Sequence, residues 1–148
     1  MKDSNDSFLG KGWSFPPAFN FDLGKPVMAK DEDDIKQSIR IILGTIPGER
    51  VMFPNFGCPI RKFVFESRDA THMRMLKDAV YDALLYNEPR IKIENIEIDD
   101  HIKSEDIKTD GKWDTQGLIR IHITYSIIIT NTRNNVVFPF YLKEGTNL

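Results

Sequence analysis

Cysteine occurs once in these 148 residues. Cys58 has no partner for an internal disulfide, and no apolar run near the start resembles a signal peptide, so synthesis and folding in the cytoplasm are expected. No stretch approaches the roughly 20 consecutive apolar residues of a membrane-spanning helix. Basic clusters are missing too. Twenty Lys and Arg stand against 22 Asp and Glu, for a net charge of -2 and a pI near 5.9. That balance lacks the cationic footprint with which proteins neutralise phosphates, and it argues against a dedicated nucleic-acid binder. Histidine is equally scarce: His72, His101 and His122 fall near a helix start, in a polar loop and on a strand, with no pair at metal-ligand spacing. Without a nearby base or positive field, Cys58 reads as a structural thiol and not a nucleophile. The sequence therefore leads us to expect no catalytic residue, no cofactor, no metal, and neither a membrane nor a nucleic acid as partner.

What is present suits one soluble domain with a real core: 41% of residues are hydrophobic and 28% charged. From Asp69 onward, Met73, Leu76, Val80 and Leu84 recur at helical spacing, with Arg74, Lys77, Asp78 and Asp82 on the other side. Pro89 lacks an amide hydrogen and disfavours helical geometry at Glu88, so the helix must stop there. A strand follows. Ile91 and Ile93 are odd but Ile96 and Ile98 even, so a one-residue bulge near Glu94-Asn95 is needed to keep one apolar face. Glu88 and Arg90, flanking a rigid proline at this corner, are expected to face outward as a fixed pair.

A first helix is expected over Asp31 to Leu43. Asp31 is the candidate N-cap, and Glu32, Asp33 and Asp34 sit in the first turn, where the helix dipole favours carboxylates. This explains the acidic cluster more simply than a metal site, which would need converging oxygen ligands. Ile35, Ile39, Ile42 and Ile46 form the buried stripe, and Gly44 suits the helix end. Pro47-Gly48 is the pair a type II turn requires. Val51, Met52 and Phe53 then fit a short strand before a second turn at Pro54-Asn55-Phe56-Gly57. Glu49 and Arg50, just after the first turn, are either a solvated pair or part of a polar network with another charged corner. Phe63 and Phe65 are expected to complete the core, from a segment that is either a strand or a helical turn.

Residues 1–30 form an arm with Trp13, Phe15, Phe19 and Phe21 all at odd positions, on one side of an extended chain. It either wraps its own domain or docks on a neighbouring subunit. Residues 31–148 make the single α+β domain, with 99–117 as a long polar connection suited to a contact or functional loop. Leu118 to Thr130 alternates as a strand, with Ile119, Ile121, Ile123, Tyr125, Ile127 and Ile129 on one face. Asn131 to Asn135 is the expected turn, and Val136 to Leu142 the returning strand. Pro139 favours an edge position for that last strand, because it cannot donate to a ladder. The fold class is α+β: two amphipathic helices packed on a small, mainly antiparallel sheet of about four strands, with an exposed C-terminal edge strand.

The run from Asp34 to Ile39, the segment Ile42-Leu43-Gly44-Thr45-Ile46-Pro47-Gly48-Glu49-Arg50-Val51-Met52-Phe53-Pro54-Asn55-Phe56-Gly57, and the triplet Glu88-Pro89-Arg90 together resemble the GPW-type baseplate wedge family of contractile injection machines. Such proteins occur in contractile phage tails, type VI secretion and extracellular particles; the match covers about residues 27 to 142. The resemblance implies a structural protein in a six-fold baseplate. Its implied partners are other wedge subunits, the first layer of sheath subunits and, as a further candidate, the central hub or spike. It implies that sheath assembly starts on this platform by strand addition. It places Glu88 and Arg90 in salt bridges at the sheath or wedge interface, Pro89 holding their geometry, and Glu49 and Arg50 supporting that corner. On this basis Glu88→Ala or Arg90→Ala is expected to leave a folded monomer that no longer supports sheath assembly.

Two other functions compete. Some family members have been called lysozymes, and a glycosidase needs two carboxylates across a cleft, one with a raised pKa. Glu49, Glu66 and Glu88 are available, but Arg50 and Arg90 adjoin two of them and oppose such a rise. A stand-alone adaptor module is the third class, and isolation from sheath and tube genes would favour it.

Overall fold

A computed structural model describes residues 8–63, 69–99 and 118–141. Its centre is a three-stranded antiparallel sheet of β5 (Ile91–Asp99), β6 (Leu118–Ile127) and β7 (Thr132–Tyr141), in that order. Four short strands precede it. β1 (Lys11–Trp13) pairs with β4 (Met28–Lys30), and β2 (Phe19–Asn20) with β3 (Lys25–Pro26), both antiparallel. The arm is thus folded back on itself as a ribbon and is not a single extended run. Among the described residues the central sheet has three strands where about four were expected, and the other described strands lie in this ribbon.

Helices α1 (Asp31–Gly44) and α2 (Ala70–Asn87) supply the other layer. Ile35, Ile39, Ile42 and Leu43 of α1, with Leu76, Val80, Ala83 and Leu84 of α2, are buried against Ile91, Ile96, Ile119, Ile121, Ile123, Tyr125 and Ile127 of the sheet. Met73 is partly buried beside them. Each fully buried aliphatic side chain contributes about 1.5–3 kcal/mol relative to exposure, so this isoleucine-rich layer dominates the fold's stability.

The expected bulge is present, with the β5–β6 register shifting between Ile93 and Asn95. It brings Ile91, Ile93, Ile96 and Ile98 opposite Ile127, Tyr125, Ile123 and Ile121. β6 ends at Ile127, three residues early. Ile128 and Ile129 are exposed, and Asn131 takes φ 53° in the turn, so Thr132 to Asn135 join β7 instead of forming the loop. An asparagine tolerates that left-handed geometry better than other non-glycine residues, which places the reversal there.

Asp31 does not cap α1. The residue before the helix is Lys30, with no side-chain cap, and the Asp31 amide donates to Gly10 O at 3.1 Å. That helix start is held by the ribbon. Asp69 caps α2, accepting from the His72 amide at 2.8 Å. Ile46 lies beyond the end of α1 and is half-buried. Residues Ile60–Phe63 are a 3-10 turn, with Ile60 buried and Phe63 packed on the core. Phe65, Glu66, His101 and nearly all of the 99–117 connection lie outside the described residues.

Candidate functional site

α2 stops where Pro89 requires, with the Glu88 amide making the last helical bond to Leu84 O at 2.9 Å. Glu88 does not face outward. It is 3% exposed, while Pro89 stays on the surface. Arg90 grips its carboxylate with two bonds, Nε to Oε1 at 2.6 Å and Nη2 to Oε2 at 2.7 Å. Arg90 Nη1 reaches Asp34 Oδ2 on α1 at 2.7 Å and Leu9 O at 3.1 Å. Ser38 of α1 also bonds Glu88. The outward pair expected from the triplet is thus an inward one, because α1 and the chain before β1 supply partners that solvent would otherwise provide.

Burial alone pushes the Glu88 carboxyl up, but hydrogen bonds from Arg90 and Ser38 and the charge of Arg90 outweigh it, and the group stays below its ordinary value. The bonds that Arg90 donates to Glu88 likewise raise Arg90 against the opposing effect of burial. Tyr125, on the sheet face below, is pushed up to about 12, first by burial and then by the charges of Glu32 and Glu88. Among the described residues its buried hydroxyl has no hydrogen-bond partner.

The 45–58 loop is a second rigid feature. The Pro47-Gly48 turn forms as expected, with Glu49 N donating to Ile46 O at 3.1 Å and Gly48 at φ 98°. Glu49 Oε2 accepts from the Ile46 amide at 3.0 Å, and the Arg50 guanidinium lies 3.8 Å from the centre of the Phe56 ring. These contacts keep Glu49 and Arg50 within their own loop, not at the Glu88 corner. Phe56 N bonds Phe53 O in the second turn, and Cys58 N bonds Thr45 O at 2.9 Å to close the base. Gly57, at φ 115°, is required there: a Cβ would sit 2.2 Å from Thr45 O. Val51, Met52 and Phe53 form no strand. They occupy the turn at the tip, 92%, 90% and 64% exposed.

Cys58 is buried, its Sγ 3.6 Å from Ala79 O, and burial pushes its thiol up to about 12. That is a packing role. Among the described residues, no group of three or more His, Cys, Asp or Glu is placed to hold a metal, and no helix is long and apolar enough to cross a membrane. Trp13, Phe15, Phe19 and Phe21 are all exposed, with Trp13 and Phe19 in edge-to-face contact at 5.9 Å. The ribbon's root is the opposite: Leu9 belongs to the core.

Residues 29–132 match the family model described as baseplate wedge protein gp25. The chain belongs to that family. It is a baseplate-wedge-like structural component. A crystal structure from Geobacter sulfurreducens, provisionally described as a tail lysozyme, is 41% identical over 80% of this chain and 97% of that one, with a TM-score of 0.66. A chain of the six-fold symmetrised anti-feeding prophage baseplate shares the fold at 20% identity, covering 93% of this chain and 90% of that one, with a TM-score of 0.61. A chain of the post-contraction pyocin R2 baseplate gives 17% identity, coverage of 84% and 97%, and a TM-score of 0.48. No match is found among curated proteins.

For this wedge-family chain, sequence reasoning found the triplet but missed Leu9, Asp34 and Ser38 as its partners. Asp34 has a sufficient local explanation in the helix dipole, and no local pattern links position 34 to position 90. The apolar tip was visible as Val51-Met52-Phe53, but three consecutive apolar residues suit a strand as well as a displayed loop.

Proposed function

We propose that this chain is a structural subunit of the baseplate in a contractile injection system, docking on the wedge and offering β7 as the margin on which the first sheath layer adds a strand. One observation carries this reading: β7 is ten residues long and terminates the sheet, with β6 on one side only among the described residues. A proline nitrogen facing β6 would forfeit a ladder bond, so Pro139 favours the register in which residues 135, 137 and 139 turn their backbone groups to the free side. Asn135 and Val137 then retain amides for an incoming strand. The opposite margin, β5, is less suited, because its bulge and the charges of Lys92, Glu94 and Glu97 blunt pairing.

Other wedge subunits are the partners for the exposed aromatic row, whose solvent-facing rings suit burial against a neighbour. Sheath subunits are the partners for β7, and the hub or spike is a further contact, with copies repeated around a six-fold axis. The test is Val137→Pro, which removes a free-side donor without touching the bonds to β6. Baseplates carrying it are expected to lack sheath in electron micrographs; sheaths of normal number and length would refute strand addition at β7.

A second reading, cell-wall hydrolysis, is favoured by the description of the Geobacter sulfurreducens structure. The geometry opposes it at Glu88, whose carboxyl is buried, doubly bonded to Arg90 and held low. A general acid at neutral pH requires the reverse. Muralytic activity of the purified chain that disappears in Glu88→Gln would establish this alternative.

A further inference from the structure

The ribbon presents two different surfaces: exposed aromatics at its outer part, and a root packed against charge. Leu9 is buried, and its carbonyl accepts from Arg90 Nη1 at 3.1 Å. Just after it, the backbone passes so close to the Arg90–Asp34 pair that a Cβ on Gly10 would lie 2.9 Å from Arg90 Nη1, and one on Gly12 would lie 2.5 Å from Asp34 Oδ1. Gly10 also sits at φ 115°. Side chains at 10 and 12 would collide with the ion pair, so these two glycines let β1 close over it. The Phe15 amide then donates to Gln37 Oε1 on α1 at 2.7 Å. Every one of these contacts joins the ribbon to α1 or to the α2–β5 corner.

We propose that Glu88-Pro89-Arg90 is a latch for the N-terminal ribbon: Arg90 is a positioning residue that, with Asp34, fixes the direction in which Trp13, Phe15, Phe19 and Phe21 project. The division of labour within the triplet follows from the geometry. Glu88 holds the guanidinium through two parallel bonds, which sets its plane. Pro89 keeps the two residues at a stiff corner. The remaining edge of the guanidinium is thereby aimed at Asp34 and the Leu9 carbonyl, one on the helix and one on the ribbon. A lysine, with a compact ammonium in place of the planar fork, cannot hold Glu88 in two parallel bonds while also reaching both other acceptors. The latch goes beyond the sheath-platform reading and does not depend on it, since it operates within one chain.

The test uses the isolated full chain and chymotrypsin, which cuts after aromatic residues, with fragments mapped by mass spectrometry. Asp34→Asn leaves the Glu88–Arg90 grip intact and weakens the Arg90–Asp34 pair over which Gly10 and Gly12 pass. Cleavage at Trp13, Phe19 and Phe21 is expected to accelerate about tenfold to a hundredfold, the range for losing a charged hydrogen bond. Cleavage at Phe140, near the end of β7, is expected to stay near wild type. Arg90→Lys is expected to accelerate arm cleavage as well. Gly12→Val, which leaves every charge in place and wedges the ribbon outward, is expected to reproduce the Asp34→Asn pattern. Unchanged arm cleavage in both Asp34→Asn and Gly12→Val would overturn the latch, and so would acceleration that is equal at the arm and in β7. Loss of the sheath with an unchanged cleavage pattern would likewise assign the corner to direct contact with a partner.

Discussion

The Glu88–Arg90 corner and the Val51–Phe53 tip invert the ordinary placement of residues in opposite directions. At the corner, charge is inside, satisfied by Arg90, Ser38 and Asp34; at the tip, three adjacent apolar side chains stand in solvent on a loop closed at both turns. Both are costly locally, and each is held by neighbours that allow little else. The contrast teaches that charge and apolarity do not by themselves announce contact and core. The charged corner sets the shape of the chain, and the apolar tip is available for contact.

The largest effect is expected from unpairing the corner. Arg90→Met leaves the Glu88 carboxylate buried without its cation, which typically costs about 3–5 kcal/mol. Urea titration monitored by circular dichroism measures it; a loss below about 1 kcal/mol would mean that the corner is not structural. Acid gives the same network a second signature. The folded chain holds the Glu88 carboxyl below its ordinary 4.5, so the unfolded chain binds more protons between the two values. The stabilisation is full above pH 4.5 and is lost as the pH falls through the lower folded value. Glu88→Gln should flatten that part of the stability–pH curve, and an unchanged slope would assign it to other carboxylates.

The tip's anchor comes next. Gly57→Ala forces a Cβ into Thr45 O at φ 115°, and strain of that type costs about 1–3 kcal/mol. A midpoint equal to wild type would show that the loop base yields. Tyr125→Phe is smaller and of opposite sign. It deletes a buried hydroxyl that has no partner among the described residues, so the change is expected to be neutral or stabilising by up to about 1 kcal/mol. A clear destabilisation would place Tyr125 within the polar network of the corner.

Residue patterns made the two helices, the β5 bulge, the Pro47-Gly48 turn and the edge position of Pro139 legible, because each rests on a spacing or on a single residue's backbone restriction. The ribbon and the true β6–β7 reversal were not. Ile128 and Ile129 continue the apolar alternation past the point where Asn131 turns the chain, so periodicity overran a boundary set by backbone conformation. The corner's orientation was hidden for a different reason: Leu9, Asp34, Ser38 and Arg90 meet only through tertiary packing. Local reading assigns unpaired charges to solvent by default.

The smallest stability effect is expected where the comparison is sharpest. Val51→Ser, Met52→Ser and Phe53→Ser combined replace side chains that already face water, and surface changes of that type usually shift stability by less than about 0.5 kcal/mol each. The loop's own bonds from Gly48 N to Pro54 O and from Phe53 N to Arg50 O use backbone atoms and survive the replacement. If the tip is a contact, the triple variant unfolds at the wild-type midpoint yet fails to co-purify with the other baseplate subunits. The corner variants show the reverse order, losing stability before any partner is added. A triple variant that assembles normally would remove contact as the reason for the exposed tip. One that unfolds early would mean that the tip packs on the chain itself, and the opposition between the two regions would be lost.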